Sequence, residues 1–513
     1  MIKKASEITL KVLPVFAAAE HLYYYEGPCR MGSGETLQPG YDRLVAEQME
    51  IELTDKLTAI APAGVEILKP VELWRTDDWD NKEAMYEEAV PRAAEADVLF
   101  TYNRIASDDI MEEFLERAHK PVVICPITGF SLTIHSASLK VKDPTLSVYA
   151  PITWGDVTRR LKALRAKKVI NSTRILCANR FGSTTSFSSV DAFHNHDDVT
   201  ARLGVRFRFV NVHELMDQMS LPTPGGNHTT PGRKTWDLTQ EEMDEVAAMA
   251  RELAGGADNV YMPMENVENS LKAFKVVRKL MDFKDCNGFT APCPDACSTR
   301  RLHEQRFTFC LTHTLNMEDG IPSSCEYDTD SVLSQQALIA VSGKTPYMGN
   351  TTAIPYEDGK LIPRFAMTEE EIDKLMALDS QENLYFMQHS VSARNLRDPK
   401  VQAHYDIRPF GLENQFGVTL KYDFDQDAGQ KITCCRFSPD GSKLFIGLGE
   451  IVCGGGFGRG NCTTAAFFRV ADQEDFFRKQ CIVGNHITLV YGDYKQELMD
   501  LAEVLGIEAI VAK

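Results

Sequence analysis

Residues 417–452 read GVTLKYDF-DQDAGQ-KITCCRF-SPDGS-KLFIGLGEIV. Three strand-like runs, Gly417–Phe424, Lys431–Phe437 and Lys443–Val452, follow one another with connections too short to hold a crossover helix. Parallel neighbours need such a crossover, so this stretch predicts an antiparallel sheet or barrel. Leu384–Val391 and Ile487–Tyr491 extend the series, and the chain closes on a helix with Leu498, Leu501, Ala502 and Leu505 at helical spacing.

Upstream the pattern is different. Short apolar runs (Thr9–Ala17, Ala96–Tyr102, Pro121–Pro126) alternate with amphipathic stretches such as Ile110–Ala118, the signature of parallel α/β layers. The charged helical segment Asp156–Lys168 marks a junction, after which a second series begins: Arg174–Ala178, Val205–Val212, Asn259–Met264 and Gly288–Cys293. Ser220–Trp236, rich in Pro, Gly and Thr, predicts an exposed loop. The fold class expected is therefore α/β: two successive parallel-sheet domains (1–168 and 169–350), then a mainly antiparallel β domain (351–513).

Composition narrows the function. At 43% hydrophobic and 25% charged residues, the 513-residue chain has the make-up of a globular protein with several cores. Its 73 acidic against 55 basic residues give a formal charge of −18, a field that repels phosphate backbones and anionic lipid. No nucleic-acid or membrane partner is expected, and Ile8–Ala19 reads as a first core strand rather than a signal peptide. The expectation is a cytoplasmic protein. Thirteen cysteines without framework spacing fit reduced thiols; Cys125, Cys177, Cys434 and Cys435 lie inside apolar runs and are expected in cores. Cys293 and Cys297 flank Pro-Asp-Ala, but no second pair at matching spacing makes them a zinc clip.

Three segments carry chemistry. In Asp319-Gly-Ile-Pro-Ser-Ser-Cys-Glu326-Tyr-Asp328-Thr-Asp330, three acids fall within five residues just before a helix. Capping is the ordinary use of such acids, and Asp330 is assigned to it. Glu326 follows a semi-apolar run where a solvated acid is out of place, and a carboxylate there can bind a hard cation or move a proton. Next, Gly343–Asn350 gives a turn, a short strand and a polar residue at its end. Asn350 can lend an amide oxygen to a metal or a hydroxyl, or serve as an ordinary turn residue. Last, Val483-Gly-Asn485-His486 leads into the apolar strand Ile487–Tyr491, which gives His486 either a ligand's or a structural place. His194-Asn195-His196 reads as solvated surface. The run Cys453–Cys462 lacks the pattern of a phosphate loop and reads as a flexible loop lining the site or a subunit boundary.

Together these segments resemble the L-fucose isomerase family, related to the L-arabinose isomerases. The resemblance runs in order through Arg180-Phe181-Gly182 to Asp191, Leu203-Gly204-Val205 to Glu214-Leu215, Cys325–Asp328, Gly349-Asn350, Asn485-His486 and Gly492. It implies a divalent metal, most often Mn2+, held by a Glu, an Asp and a His, which fall on Glu326, Asn350 and His486. Asn350 departs from the family's Asp: it can donate a carbonyl oxygen, but it cannot ferry a proton. The acid/base partner of Glu326 must then be another group, with Asp328 and His389 as candidates. Arg180, His389 and Asn485 are the expected substrate contacts. The resemblance implies aldose–ketose isomerisation of a pentose, a hexose or a 6-modified (deoxy, phospho or sulfo) sugar through a cis-enediol, in a homotrimer or hexamer. Epimerisation or carbon–carbon cleavage of a hydroxy-ketone is the rival reaction that Asn350 raises, and a non-catalytic sugar-binding protein is the rival class.

Overall fold

The computed structural model describes residues 2–20, 23–24, 26, 32–76, 82–104, 108–127, 130–179, 191–219, 237–292, 300–364 and 367–513. Arg180, Ser220–Trp236, Cys293 and Cys297 lie outside the described residues. Contacts divide the chain into two units, Ile8–Arg165 and Met1–Glu7 with Ala166–Lys513.

In the first unit, Leu10–Glu20 is the central strand of a six-stranded sheet. It pairs in parallel with Val65–Ile67, Val71–Thr76 and Val98–Asn103, and the sheet continues in parallel through Val122–Ile124 to Val148–Tyr149. Its continuous apolar run is what two covered faces require: Val12, Leu13 and Val15 are fully buried. Helices Tyr41–Ile60, Lys82–Ala94 and Asp108–Ala118 connect the strands.

The second unit holds a parallel sheet in the order Ser323–Ser324, Gly288–Thr290, Arg174–Asn179, Arg206–Asn211. The helix Met264–Phe283 buries Val276, Val277 and Leu280 in the same core as Leu176 and Phe289. The expected strand over 259–264 does not belong to this sheet. Only Asn259–Val260 is extended, and it pairs with Tyr405–Gly411 in a separate three-stranded sheet. Pro263, with φ −62°, caps the helix that starts at Met264; its fixed backbone and missing N–H suit a helix start and end any strand there. Phe416–Tyr422 also pairs with Tyr405–Gly411, so this run of the opening stretch leaves the main antiparallel sheet.

The remaining strands close into a barrel. Lys431–Phe437 pairs with His486–Tyr491, then Tyr347–Ala353, Leu384–His389, Thr464–Val470 and Lys443–Gly455, which returns to Lys431–Phe437; every pairing is antiparallel. Closure gives each of the six strands two neighbours in the ring. Glu508–Val511 adds in parallel to the outside of Lys443–Gly455. The chain is thus mixed α/β, with parallel sheets and helices followed by a C-terminal antiparallel sheet. Among the described residues no helix is long and apolar enough to cross a membrane. Cys125, Cys177, Cys434 and Cys435 are buried free thiols.

Candidate functional site

Glu326 comes two residues after the edge strand Ser323–Ser324, beyond the carboxyl end of the parallel sheet, where open α/β sheets place their ligands. Two successive non-glycine residues here, Glu326 (φ +62°) and Tyr327 (φ +60°), take left-handed backbone. Such strain persists only where neighbours impose it. Tyr327 N–H donates to the Ala291 carbonyl at 2.9 Å, and Asp328 N–H to Cys325 at 3.1 Å, which fixes the corner.

That corner aims Glu326 at two histidines from the barrel. His389 ends the strand Leu384–His389 and His486 begins His486–Tyr491. Glu326 Oε1 lies 3.4 Å from His389 Nε2, and Oε2 lies 3.3 Å from His486 Nε2. One ligand atom from each of the three residues falls within 4.8 Å of the others. Both His389 nitrogens and His486 Nε2 are buried without a hydrogen-bond partner. Buried unpaired imidazole nitrogens beside a carboxylate are a costly arrangement that a cation would satisfy, so these residues fit a metal. Burial works to raise the Glu326 carboxyl, but the nearby His389 ring and the field of His486 outweigh that and hold it below its ordinary value.

His486 is braced from behind. It donates from Nδ1 to Asp328 Oδ2 at 2.9 Å, with Asp191 Oδ1 at 3.4 Å. Burial alone would lower this imidazole; the bonds to Asp191 and Asp328 and the Glu326 charge overcome it and bring its pKa up to about 10. Arg436, fully buried, donates Nη1 to Asp328 Oδ2 at 2.8 Å and to the His486 carbonyl at 2.7 Å, and Nε to the Val483 carbonyl at 2.8 Å. Asp330, 3.8 Å from Arg436, is pushed well above the ordinary carboxyl range by burial. The helix cap is Asp328, not Asp330: Asp328 Oδ1 accepts from Ser331 N–H at 2.6 Å and starts the helix Thr329–Ser342. Asp330 stands one position inside that helix, too late to cap it. Phe193 N–H donates to Thr329 Oγ1 at 2.9 Å, which ties the Asp191 segment to the same helix start.

Asn350 stands opposite both His486 and Gln388 in the barrel ladder. Directly paired residues have Cβ atoms about 5 Å apart, so Asn350 flanks the histidine. Its Oδ1 accepts from Asn485 Nδ2 at 2.6 Å. The approach of strands here requires Gly349, where a Cβ would meet the Gln388 carbonyl oxygen at 2.8 Å. Asn350, Gln388 and Asn485 line a cavity of ≈ 860 Å³ together with Arg364, Arg459 and Asn461. That volume is within the range of small-molecule sites. Of the expected site residues, the structure brings Glu326, His389 and His486 into one cluster, sets Asp328 behind it, and places Asn350 and Asn485 in the adjoining cavity. Arg180 is outside the described residues.

Several residues escaped the sequence reading. Arg436 carried one signal, a lone charge inside the apolar run Lys431–Phe437, but its partner Asp328 is 108 positions away. Arg364 and Gln388 gave none that distinguishes them from surface groups, while Asp191 and Arg459 lay within segments that the sequence marked without assigning either residue a role. His194 and Asn195 are exposed, as expected, and His196 is half-buried: Asn195 Oδ1 caps the helix His196–Leu203, and the His196 ring centroid lies 4.2 Å from that of Phe207.

No family model matches the chain. Two curated relatives, the sulfoquinovose isomerases of Priestia aryabhattai and Priestia megaterium (strain ATCC 12872 / QMB1551), are each 21% identical to it over 359 residues. The match covers 69% of this chain and 67% of theirs. The chain is thus a distant relative of isomerases.

Proposed function

We propose that the protein is a metal-dependent aldose–ketose isomerase of the L-fucose isomerase kind, acting on a six-carbon sugar or a 6-modified relative. The observation that carries this reading is the Glu326 carboxylate set between two imidazoles whose facing nitrogens lack partners. Its support from outside the chain is the name of the two distant relatives.

In this reading Glu326, His389 and His486 hold the cation, and Asn350 contributes an amide oxygen to it or to the sugar. A divalent cation there would polarise the open-chain carbonyl and acidify the neighbouring C–H. Glu326 takes the proton from one carbon and returns it to the next. Asn350 is neutral and cannot share that work; with His389 Nε2 committed to the cation, its Nδ1, buried without a hydrogen-bond partner, is the nitrogen left to serve as the partner acid/base. Asp328 is a positioning residue: its oxygens are committed to Ser331, His486 and Arg436, and it is fully buried. Its task is to present His486 Nε2 to the cluster, the role of the carboxylate behind a metal-bound histidine.

The test is a screen of aldoses and ketoses, including 6-deoxy, 6-phospho and 6-sulfo sugars, with manganese or with chelator, in deuterated water. At least one pair should interconvert with manganese only, and the product should carry solvent deuterium on a carbon next to the carbonyl. Failure to interconvert any pair with manganese present would overturn the proposal.

A further inference from the structure

The cavity beside the candidate centre departs from the charge of the chain as a whole. The protein has 73 acidic residues against 55 basic ones, yet the described residues lining this cavity include two arginines and no carboxylate. Beside the arginines the wall offers amides (Asn350, Gln388, Asn461, Asn485) and two apolar surfaces, Phe386 and Leu412. Amides suit sugar hydroxyls; guanidiniums do not discriminate hydroxyls well and match oxyanions.

Arg364 donates Nε to the Ala353 carbonyl at 2.8 Å. The rest of its guanidinium makes no hydrogen bond or ion pair with a described residue. Arg364 lines the cavity, and anchoring through Nε leaves its two Nη nitrogens uncommitted. Arg459 is set in place from behind, donating Nη2 to Glu371 Oε1 at 2.6 Å. Glu371 is itself fixed by the capping box it forms with Thr368. This explains part of the glycine-rich run Cys453–Cys462: a Cβ on Gly455 would stand 2.4 Å from Glu371 Oε1, so only glycine lets that carboxylate approach the loop. The loop is pinned further by Lys421, buried beneath it, whose Nζ donates to the Asn461 carbonyl at 2.8 Å and to Thr463 Oγ1 at 3.1 Å. These contacts preorganise Arg459 on a loop that composition alone would leave slack.

We propose that Arg364 and Arg459 form a subsite for an oxyanion, a sulfonate or a phosphate, carried on the sugar carbon far from the reacting carbonyl. The proposal rests on the isomerase reading for the position of the reacting end. The link to that end is Asn350, which lines the cavity with Gln388 and is the ladder partner of both Gln388 and His486.

The test compares three sugars on the full-length, manganese-loaded protein: 6-deoxy-6-sulfoglucose, glucose 6-phosphate and 6-deoxyglucose. Both equilibrium binding and kcat/KM are measured. One anionic sugar should bind at least about 100-fold better than the neutral one, as two charge-assisted contacts imply. Preference for the sulfonate or for the phosphate identifies the head group. Arg364→Met should cut the anionic-to-neutral ratio about 10- to 100-fold, and Arg364→Lys should recover part of it, since charge returns without the fork. Equal binding of neutral and anionic sugars by the unmodified protein, no binding of either anionic sugar, or an unchanged ratio in Arg364→Met would each overturn the subsite. Where a variant does not fold, the unmodified protein's discrimination still decides. Preference in binding without turnover of any sugar keeps the subsite and sinks the isomerase reading; turnover without preference does the reverse.

Discussion

Glu326→Gln is expected to lower kcat about 1,000-fold or more while the protein stays folded, the loss typical of removing a group that moves the proton in the rate-limiting step. Glutamine keeps the shape of the side chain and can occupy the same left-handed backbone as Glu326. What it lacks is a titrating oxygen and a full negative charge between His389 and His486. The fold should survive because His486 keeps its bonds to Asp328 and Asp191 behind it, and the corner keeps its backbone bonds to Ala291 and Cys325. Steady-state turnover, read alongside thermal unfolding, checks both halves. Rates near those of the unmodified protein would remove Glu326 from the chemistry.

The largest effect on stability is expected from Asp328→Ala, about 3–5 kcal/mol measured by denaturant unfolding of the full chain. The size follows from what is left behind. Arg436 is fully buried and loses its 2.8 Å carboxylate partner, leaving Asp330 at 3.8 Å and the field of Asp191 to offset its charge. A buried charge stripped of its partner costs far more than the pair contributed. Loss of the cap on the helix Thr329–Ser342 adds about 1 kcal/mol. Asp328→Asn should cost less, since its amide oxygen can still cap the helix or accept from Arg436. A change below about 0.5 kcal/mol for Asp328→Ala would show that the network does not hold this corner together.

How far the sequence could be read depended on whether the deciding contact was local. Leu10–Glu20 and Lys431–Phe437 were visible because an apolar run between polar residues reports its own burial. The partition of strands between sheets was not visible. Phe416–Tyr422 has the same composition as its barrel neighbours, and only its pairing with Tyr405–Gly411 sets it apart. Asn259–Val260 shows the opposite failure. Six residues that read as one strand were ended by Pro263, because a helix start also begins with a short extended segment.

The site follows the same rule. Glu326 stood out because an acid after Pro-Ser-Ser-Cys has no local use, and His486 because it opens an apolar strand. The acids before the helix signalled a cap without saying that Asp328 supplies it, and the same side chain holds His486 and Arg436 across more than a hundred positions. Nothing short of the folded chain reports that double use. The cavity arginines were opaque for a related reason: three of the six barrel strands lie between Arg364 and Arg459 in sequence, and each alone resembles a solvated surface group.

The central claim is that one carboxylate and two imidazoles share a cation. Anomalous diffraction from manganese-soaked crystals of the full chain tests it most directly. A manganese peak is predicted within bonding distance of the Glu326 carboxylate and of Nε2 on His486 and His389, absent from crystals of Glu326→Gln. A peak elsewhere in the molecule, or none at this cluster in manganese-saturated crystals, would contradict it.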